Sequence, residues 1–501
     1  MSVSISTRRA NMENRNCPAM KKRRLELIGP QGLNFLSLPE DIMSRITAEI
    51  TLKEAVRMSA VCSNLRRAWI YHPNLDFDIS IVPASGIATV HEHSSKHKRN
   101  QHSDQHNRMM GIKRFIDTVN LILGEHSGLA VNRLAVKFKL HKEHANAIDG
   151  WVSFAIASKA KVVALDFSPY LGPYENNYSF PCHLFHKQNS SHLQVLRLYS
   201  VTLDSSQDFC GFSNLTTLAL DHVLILQGLQ FLLLKCPSLE WLSIQLCPQL
   251  HDLHADEPLE RLKFLCVQYC AINRIELHAP NLTSFEYRGG SKVHFALNKC
   301  LKLKTASIKF NVEENLEYVF TEIPNGLPYV EALHVELTIH GFTQAPLRFI
   351  YLRHLTMKIT FANAKRFGKN AVLQLAYLLE AAPFLVDLHL DDSILNRLRL
   401  FETELRWSML CASFCEGSPK RDVIADHPHH NLKQAHITGF NGNGGQVALV
   451  KYILRNAVQL ECMAIDPRGK IIGQLMGEYH GRVSAKSELV PKDRKGVLTI
   501  L

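Results

Sequence analysis

Apolar residues return along most of the chain in the phrase apolar-x-x-apolar-x-apolar. The clearest copies are Leu193/Leu196/Leu198, Leu215/Leu218/Leu220, Leu239/Leu242/Ile244 and Leu262/Leu265/Val267, whose first positions lie 22, 24 and 23 residues apart. Looser copies follow at Leu282/Phe285/Tyr287, Leu303/Ala306/Ile308, Val330/Leu333/Val335, Leu352/Leu355/Met357, Leu385/Leu388/Leu390, Leu432/Ala435/Ile437 and Leu460/Met463/Ile465. Upstream, Val131/Leu134/Val136 and Val162/Leu165/Phe167 fit as well, which makes thirteen copies. Alternation within each phrase predicts a short strand with one face turned inward. A repeat of this length marks an array in which each unit buries its apolar face against its neighbours. Three intervals, of 27, 33 and 47 residues, are too long for one repeat each, and Arg397–His430 reads as an insertion with a helix over Arg397–Cys415 and a polar loop over Glu416–His430.

Before the repeats the period changes from two to that of a helix. Ser37-Leu38-Pro39-Glu40 combines a Ser cap, an early Pro and a Glu three residues after the cap, which predicts a helix start. Ile42, Ile46 and Ile50 then form one stripe, until Thr51-Leu52-Lys53-Glu54 supplies a second capping signal and starts a second helix through Ala55, Val56, Met58 and Val61. Leu65, Ala68 and Trp69 suit a third, short helix. A unit of about 40 residues is near the limit at which an isolated fold stabilises itself, so it is expected to dock on something.

The period and the L-x-x-L-x-L phrase over residues 129–465 resemble leucine-rich repeats, in which strands line the concave face of a curved solenoid. Lys235-Cys236-Pro237-Ser238-Leu239-Glu240 resembles the helix end and strand entry of the repeats in F-box proteins, and Ala382-Pro383-Phe384-Leu385 repeats that logic. Leu38-Pro39-Glu40-Asp41-Ile42, followed by Ile46, Ile50, Leu52, Ala55, Val61-Cys62, Leu65-Arg66-Arg67 and Trp69, is similar to an F-box; Asn64 and Leu65 depart from its usual pattern. Asn431-Leu432-Lys433-Gln434-Ala435-His436-Ile437-Thr438-Gly439-Phe440, a helix over Val447–Asn456 and Leu460-Glu461-Cys462-Met463-Ala464-Ile465 resemble the FBD module of plant F-box proteins, with Ala435 where Val is usual.

Together the resemblances imply an α/β leucine-rich-repeat solenoid, a horseshoe, preceded by a small all-α F-box. The expected organisation is a disordered basic segment at 1–34, an F-box at 35–75, a linker at 76–128 with a His-rich stretch, repeats at 129–430 with the late insertion, and an FBD-like region at 431–501 that closes the solenoid. The family implies a non-catalytic substrate-recognition subunit of a Skp–cullin–F-box ubiquitin ligase. The residues expected to contact a Skp-type adaptor, and through it cullin, are Leu38, Pro39, Ile42, Ile46 and Leu52. Trp69 reads as core. An unidentified target protein is expected on the concave face, among residues such as Gln194, Arg197, Thr217, Asp221, Glu240, Ser243, Gln245, Lys263, Gln268 and Arg353, which carry no dominant aromatic cluster. The competing reading is a repeat scaffold in which the first helices only cap the array.

Composition refines this picture. A mean hydropathy of −0.07, with no apolar run longer than Gly228–Leu234, leaves nothing near the roughly 20 residues of a membrane helix. Residues 1–20 have no apolar core of a secretory signal, so nucleus or cytoplasm is expected, and Lys21-Lys22-Arg23-Arg24 reads either as a nuclear-import signal or as a solvated charge run. Of the net charge of +11, ten units sit in residues 1–24 and 91–114, so the repeat body is nearly neutral and a nucleic-acid partner is not expected. The twelve cysteines include no C-x-x-C pair and are expected as free thiols. His91, His93, His97, His102 and His106 could by residue type chelate a transition metal but read as a polar linker, the i, i+4 pairs Cys266/Cys270 and Cys411/Cys415 with His427, His429 and His430 would need a helix and a loop to meet in tetrahedral geometry, and no metal or other cofactor is expected. The common nucleotide-binding, zinc-protease and serine-hydrolase motifs are absent from the sequence.

Overall fold

A strand whose alternate side chains are leucine can bury one face only if another element covers it, and here helices and short strands of the described return segments share one apolar core with the strands. The computed structural model describes residues 39–61, 68–82, 101–129, 131–167, 176–185, 192–204, 212–226, 229–290, 293–314, 316–339, 348–361, 375–392, 427–468 and 475–501. Within them, fifteen strands form one sheet: β1 (Asn74–Asp78), β2 (Arg133–Lys137), β3 (Val162–Asp166), β4 (Val195–Tyr199), β5 (Thr217–Asp221), β6 (Trp241–Gln245), β7 (Phe264–Gln268), β8 (Ser284–Gly289), β9 (Thr305–Glu314), β10 (Ala332–Ile339), β11 (His354–Phe361), β12 (Asp387–Asp392), β13 (Gln434–Thr438), β14 (Cys462–Asp466) and β15 (Leu498–Ile500). Each strand pairs in parallel with the next in the chain, so the architecture is an α/β repeat. Parallel neighbours require a crossover, and this sets the length of the period.

The crossovers carry helices or short strands. The helices are α1 (Glu40–Ala48), α2 (Leu52–Val61), α3 (Gln101–Glu125), α4 (Ala145–Ala157), α5 (Leu229–Leu234), α6 (Leu316–Gly326), α7 (Ala376–Ala381), α8 (Gly444–Asn456) and α9 (Leu475–Ser484). In the middle repeats the return segments form two three-stranded parallel sheets, one of Tyr178–Phe180, Val201–Leu203 and Leu224–Ile225, the other of Asp252–His254, Arg274–Glu276 and His294–Ala296. One apolar cluster runs without a break from Leu52 to Leu489. The strand leucines supply its axis: Leu196, Leu218, Leu242 and Leu265 are each 0% exposed.

All thirteen phrases fall on strands of the large sheet, with one shift of phase. Register pairs Val163 with Leu196 and Leu165 with Leu198, so Ala160/Val163/Leu165, and not Val162/Leu165/Phe167, occupies the repeat positions. The two-residue slip keeps the same face inward, which is why period alone did not expose it. The long intervals are single repeats after all, because β9 pairs with β10, β11 with β12, and β12 with β13. The added length lies in the return segments, two of which carry α6 and α7. The helix expected over Arg397–Cys415 lies outside the described residues, as does the segment 1–34.

Two strands went unread in the sequence. β1 and the 25-residue α3 occupy much of the stretch 76–128 expected as a linker, and His102 and His106 belong to α3. Leu75 and Phe77 alternate as the repeats do, but without the longer phrase. α3 packs Phe115, Val119, Ile122 and Leu123 inward, and Phe115 stacks on Phe138 at 4.1 Å. At the other edge, α9 and β15 follow the expected α8. α8 starts three residues before the expected Val447, at Gly444, because Asn443 caps it by accepting the Gln446 N–H at 2.8 Å. Gly481 is required where α9 crosses the chain, since a Cβ there would lie 2.1 Å from the Phe440 carbonyl oxygen.

Candidate functional site

Two surfaces offer chemistry to a partner, the outward side of α1 and the open face of the large sheet. α1 begins at Glu40 with Pro39 at the cap position and no side-chain cap. The expected Ser37 cap and Leu38 lie outside the described residues. α2 begins as its sequence dictates: the Thr51 N–H donates to Glu54 Oε2 at 2.8 Å and the Glu54 N–H donates to Thr51 Oγ1 at 3.2 Å, a reciprocal capping box. The Thr51 N–H and hydroxyl hold the exposed Glu54 carboxyl below its ordinary value.

The stripe on α1 divides. Pro39 is exposed, Ile42 is 38% exposed and Ile46 41% exposed, whereas Ile50 packs partly against the core. Among the described side chains of α1, the one turned fully inward is polar: Thr47 is 1% exposed, with its hydroxyl 3.5 Å from the Tyr71 carbonyl oxygen. Leu52, expected at the adaptor contact, is instead 2% exposed and packs in the core with Ala55 and Trp69, because it opens the helix that rests against β1.

Two histidines that sequence reasoning missed join this helical pair to the sheet. His72, 1% exposed, accepts the Asn74 N–H at Nδ1 (3.1 Å), which leaves Nε2 to donate to the Ile50 carbonyl oxygen (2.9 Å). His126 repeats the arrangement, accepting the Gly128 N–H at Nδ1 (3.0 Å) and donating from Nε2 to the His72 carbonyl oxygen (3.1 Å). Burial holds the His126 pKa below the ordinary histidine value. No spacing in the sequence signals this pair, since its partners are backbone atoms supplied by the fold.

On the sheet, alternate side chains point away from the core in three rows. Several of their charges are already matched: Asp76 with Arg133 (2.8 Å), Lys137 with Asp166 (3.5 Å), Glu336 with Lys309 (2.5 Å) and Lys358 (3.1 Å), and His354 with Asp387 (2.6 Å). His389 and His436 stack at 4.6 Å, and burial among these rows lowers the His334 pKa. The expectation of a face without an aromatic cluster is corrected here. Trp241 and Phe264 are register partners at the start of β6 and β7 and stack with centroids 3.7 Å apart. Their shared place in Glu240-Trp241-Leu242 and Lys263-Phe264-Leu265 was the available signal.

Among the described members of these histidine and cysteine groups, Cys270 and His429 have other partners. Among the described residues no group of three or more His, Cys, Asp or Glu is placed to hold a metal ion. Cys266 and Cys270 are buried, and the Cys270 thiol donates to the Gln268 carbonyl oxygen at 3.4 Å. All seven described cysteines are free thiols, and burial pushes Cys182 and Cys236 up to about 12, so they act as small apolar groups. His429 is 6% exposed and pairs through Nε2 with the Tyr452 hydroxyl at 3.0 Å. Cys411, Cys415, His91, His93 and His97 lie outside the described residues, as does Lys21–Arg24. None of the described helices is long and apolar enough to cross a membrane.

A family model, the leucine-rich-repeat domain of the At1g61320/AtMIF1 type, matches residues 122–500. Similar curated proteins come from Arabidopsis thaliana. The F-box/FBD/LRR-repeat protein At1g13570 is 23% identical over 484 residues, 91% of this chain and 98% of its own length. The putative FBD-associated F-box protein At5g56410 is 24% identical, over 85% of this chain and 80% of its own. The putative F-box/LRR-repeat protein At3g42770 is 22% identical, over 85% and 73% respectively. With a repeat-family match over most of its length and relatives of this kind along nearly all of it, the chain belongs to the At1g61320/AtMIF1-type leucine-rich-repeat family, as a plant F-box/leucine-rich-repeat protein.

Proposed function

We propose that this chain is the substrate-recognition subunit of a Skp–cullin–F-box ubiquitin ligase, working in the nucleus or cytoplasm. In this reading α1 and α2 belong to the F-box, Leu38, Pro39, Ile42 and Ile46 meet a Skp-type adaptor, and the repeats, curved as a horseshoe, hold the target protein on their open face. The chain itself is non-catalytic, and ubiquitin transfer belongs to other subunits. The observation that carries the reading is α1, which turns Thr47 into the core and leaves Ile42 and Ile46 exposed beside Pro39. An isolated helix gains nothing from that orientation, whereas a partner covering the stripe gains roughly 25 cal/mol per Å² of apolar area. The names of the relatives point the same way.

The alternative, a repeat scaffold capped by α1 and α2, draws on the burial of Leu52, Ala55 and Trp69 against the first strand. Co-purification with a Skp-type adaptor separates the two. The intact chain is expected to retain the adaptor, and an Ile42→Asp/Ile46→Asp double variant is expected to lose it at unchanged melting temperature. Retention by the double variant, or no binding by the folded intact chain, would leave the scaffold.

A further inference from the structure

We propose that the open face over β4 to β8 receives an extended segment of the target protein, in which an apolar anchor and a carboxylate side chain lie within about five residues of each other. The proposal rests on the reading of this face as the target-binding surface.

Apolar area is concentrated there. Trp241 is 44% exposed although stacked on Phe264, and at the far ends of the same two strands Leu246 is 38% and Tyr269 41% exposed. Leu246 and Tyr269 have φ of 50° and 54°, the left-handed region, which side chains with a Cβ adopt at a cost. Their N–H groups continue the ladder to Gln268 and Arg288 carbonyl oxygens at 2.9 and 2.6 Å, so the strain is held by the sheet and the side chains are presented outward. The two apolar sites lie about five residues apart along a strand, roughly 16 Å, which matches a short extended segment.

The carboxylate is inferred from Arg288. Its guanidinium lies over the Tyr269 ring, 4.9 Å from the centroid, and its Nε is buried without a hydrogen-bond acceptor. Buried donors are normally paired, so this chain leaves the Arg288 guanidinium unmatched on its inner side, and the outer Nη donors beside the exposed Tyr269 ring are the ones an incoming acceptor can reach. Elsewhere the face matches its cations internally, as at Arg133, Lys137, Lys309 and Lys358. Among the described residues Arg288 has no carboxylate partner, Glu286 two residues upstream included, and Arg197 on β4 has none either. A planar guanidinium with free donors fits a carboxylate in two-point contact.

The test is selection of a phage-displayed random 12-residue library on the immobilised full chain, followed by fluorescence anisotropy of a selected peptide synthesised with Glu or with Gln at its acidic position. Expected are peptides with an apolar residue and an Asp or Glu within five positions, weakened about tenfold by Arg288→Gln and partly restored by Arg288→Lys. The Glu-to-Gln change in the peptide and Arg288→Gln in the protein are expected to cost no more together than either alone. Trp241→Ala is expected to weaken both peptide forms. Selected peptides without acidic residues, affinity unchanged by Arg288→Gln at an unchanged melting temperature, or enrichment no greater than on a Trp241→Ala/Arg288→Gln variant would overturn the proposal. Adaptor retention, measured on the same samples, is independent of these substitutions: its absence from the wild-type chain would sink the ligase reading while leaving the peptide result standing.

Discussion

At the scale of single residues, burial decides which titratable groups report on folding. His429 is almost fully enclosed, its Nε2 held by the Tyr452 hydroxyl, and burial lowers its pKa to about 4. An unfolded histidine has a pKa near 6.5, so between these values the unfolded chain binds more protons than the folded one. Stability therefore rises with pH through that window and is lost as pH falls from about 6.5 toward 4. His126, His141 and His334 are shifted in the same direction by burial, so they add to this slope. Replacement of His429 by Gln is expected to flatten it, removing on the order of 2 kcal/mol of the loss between pH 7 and 4. Urea unfolding at a series of pH values measures this directly, and an unchanged slope would contradict it.

At the scale of elements, the junction between the helical pair and the array rests on few atoms. Among the described side chains, α1 buries Thr47 and α2 buries Leu52 and Ala55, while His72 bonds the turn between them to the entry of β1. His72→Ala leaves the Ile50 carbonyl and the Asn74 N–H without those partners, at a cost of about 1–3 kcal/mol. The loss is expected to be local. Hydrogen exchange should quicken through α1, α2 and β1 while β6 to β8 keep their protection. Uniform loss across the sheet would mean that the helical pair and the repeats unfold as one unit. If α1 carries the adaptor, the same variant is expected to weaken adaptor retention without touching Ile42 or Ile46.

At the scale of the whole molecule, an array of parallel strands in chain order passes stress mainly to its neighbours. Leu242 is 0% exposed at the centre of β6, between Leu218 and Leu265 in register. Leu242→Ala is expected to cost about 2–5 kcal/mol. Exchange protection is expected to fall most in β5 to β7 and least in β14, and equal loss at both places would show a single cooperative unit. The described outer strands differ in their cover: β1 lies beneath α2, and β15 pairs only with β14.

The sequence by itself determined the repeat. Leucine at positions that must share one face of a strand leaves no other way to bury them, so the pattern implies thirteen strands and, except at the start of β3, the residues they turn inward. It also determined the start of α2, because Thr51 and Glu54 satisfy each other's backbone groups locally. The tertiary structure decided the rest. β1, α3, α9 and β15 lack the repeat phrase and are held by contact with neighbours already in place. The phase of β3 was settled by its pairing with β4, since a two-residue slip leaves the pattern intact. Leu52 became core and Ile46 surface because the docking angle of a helix depends on what it rests against. The open face over β6 to β8 was decided in the same way: Trp241, Phe264, Tyr269 and Arg288 are separated by a full repeat or more in sequence, and only the lateral stacking of strands makes them one surface.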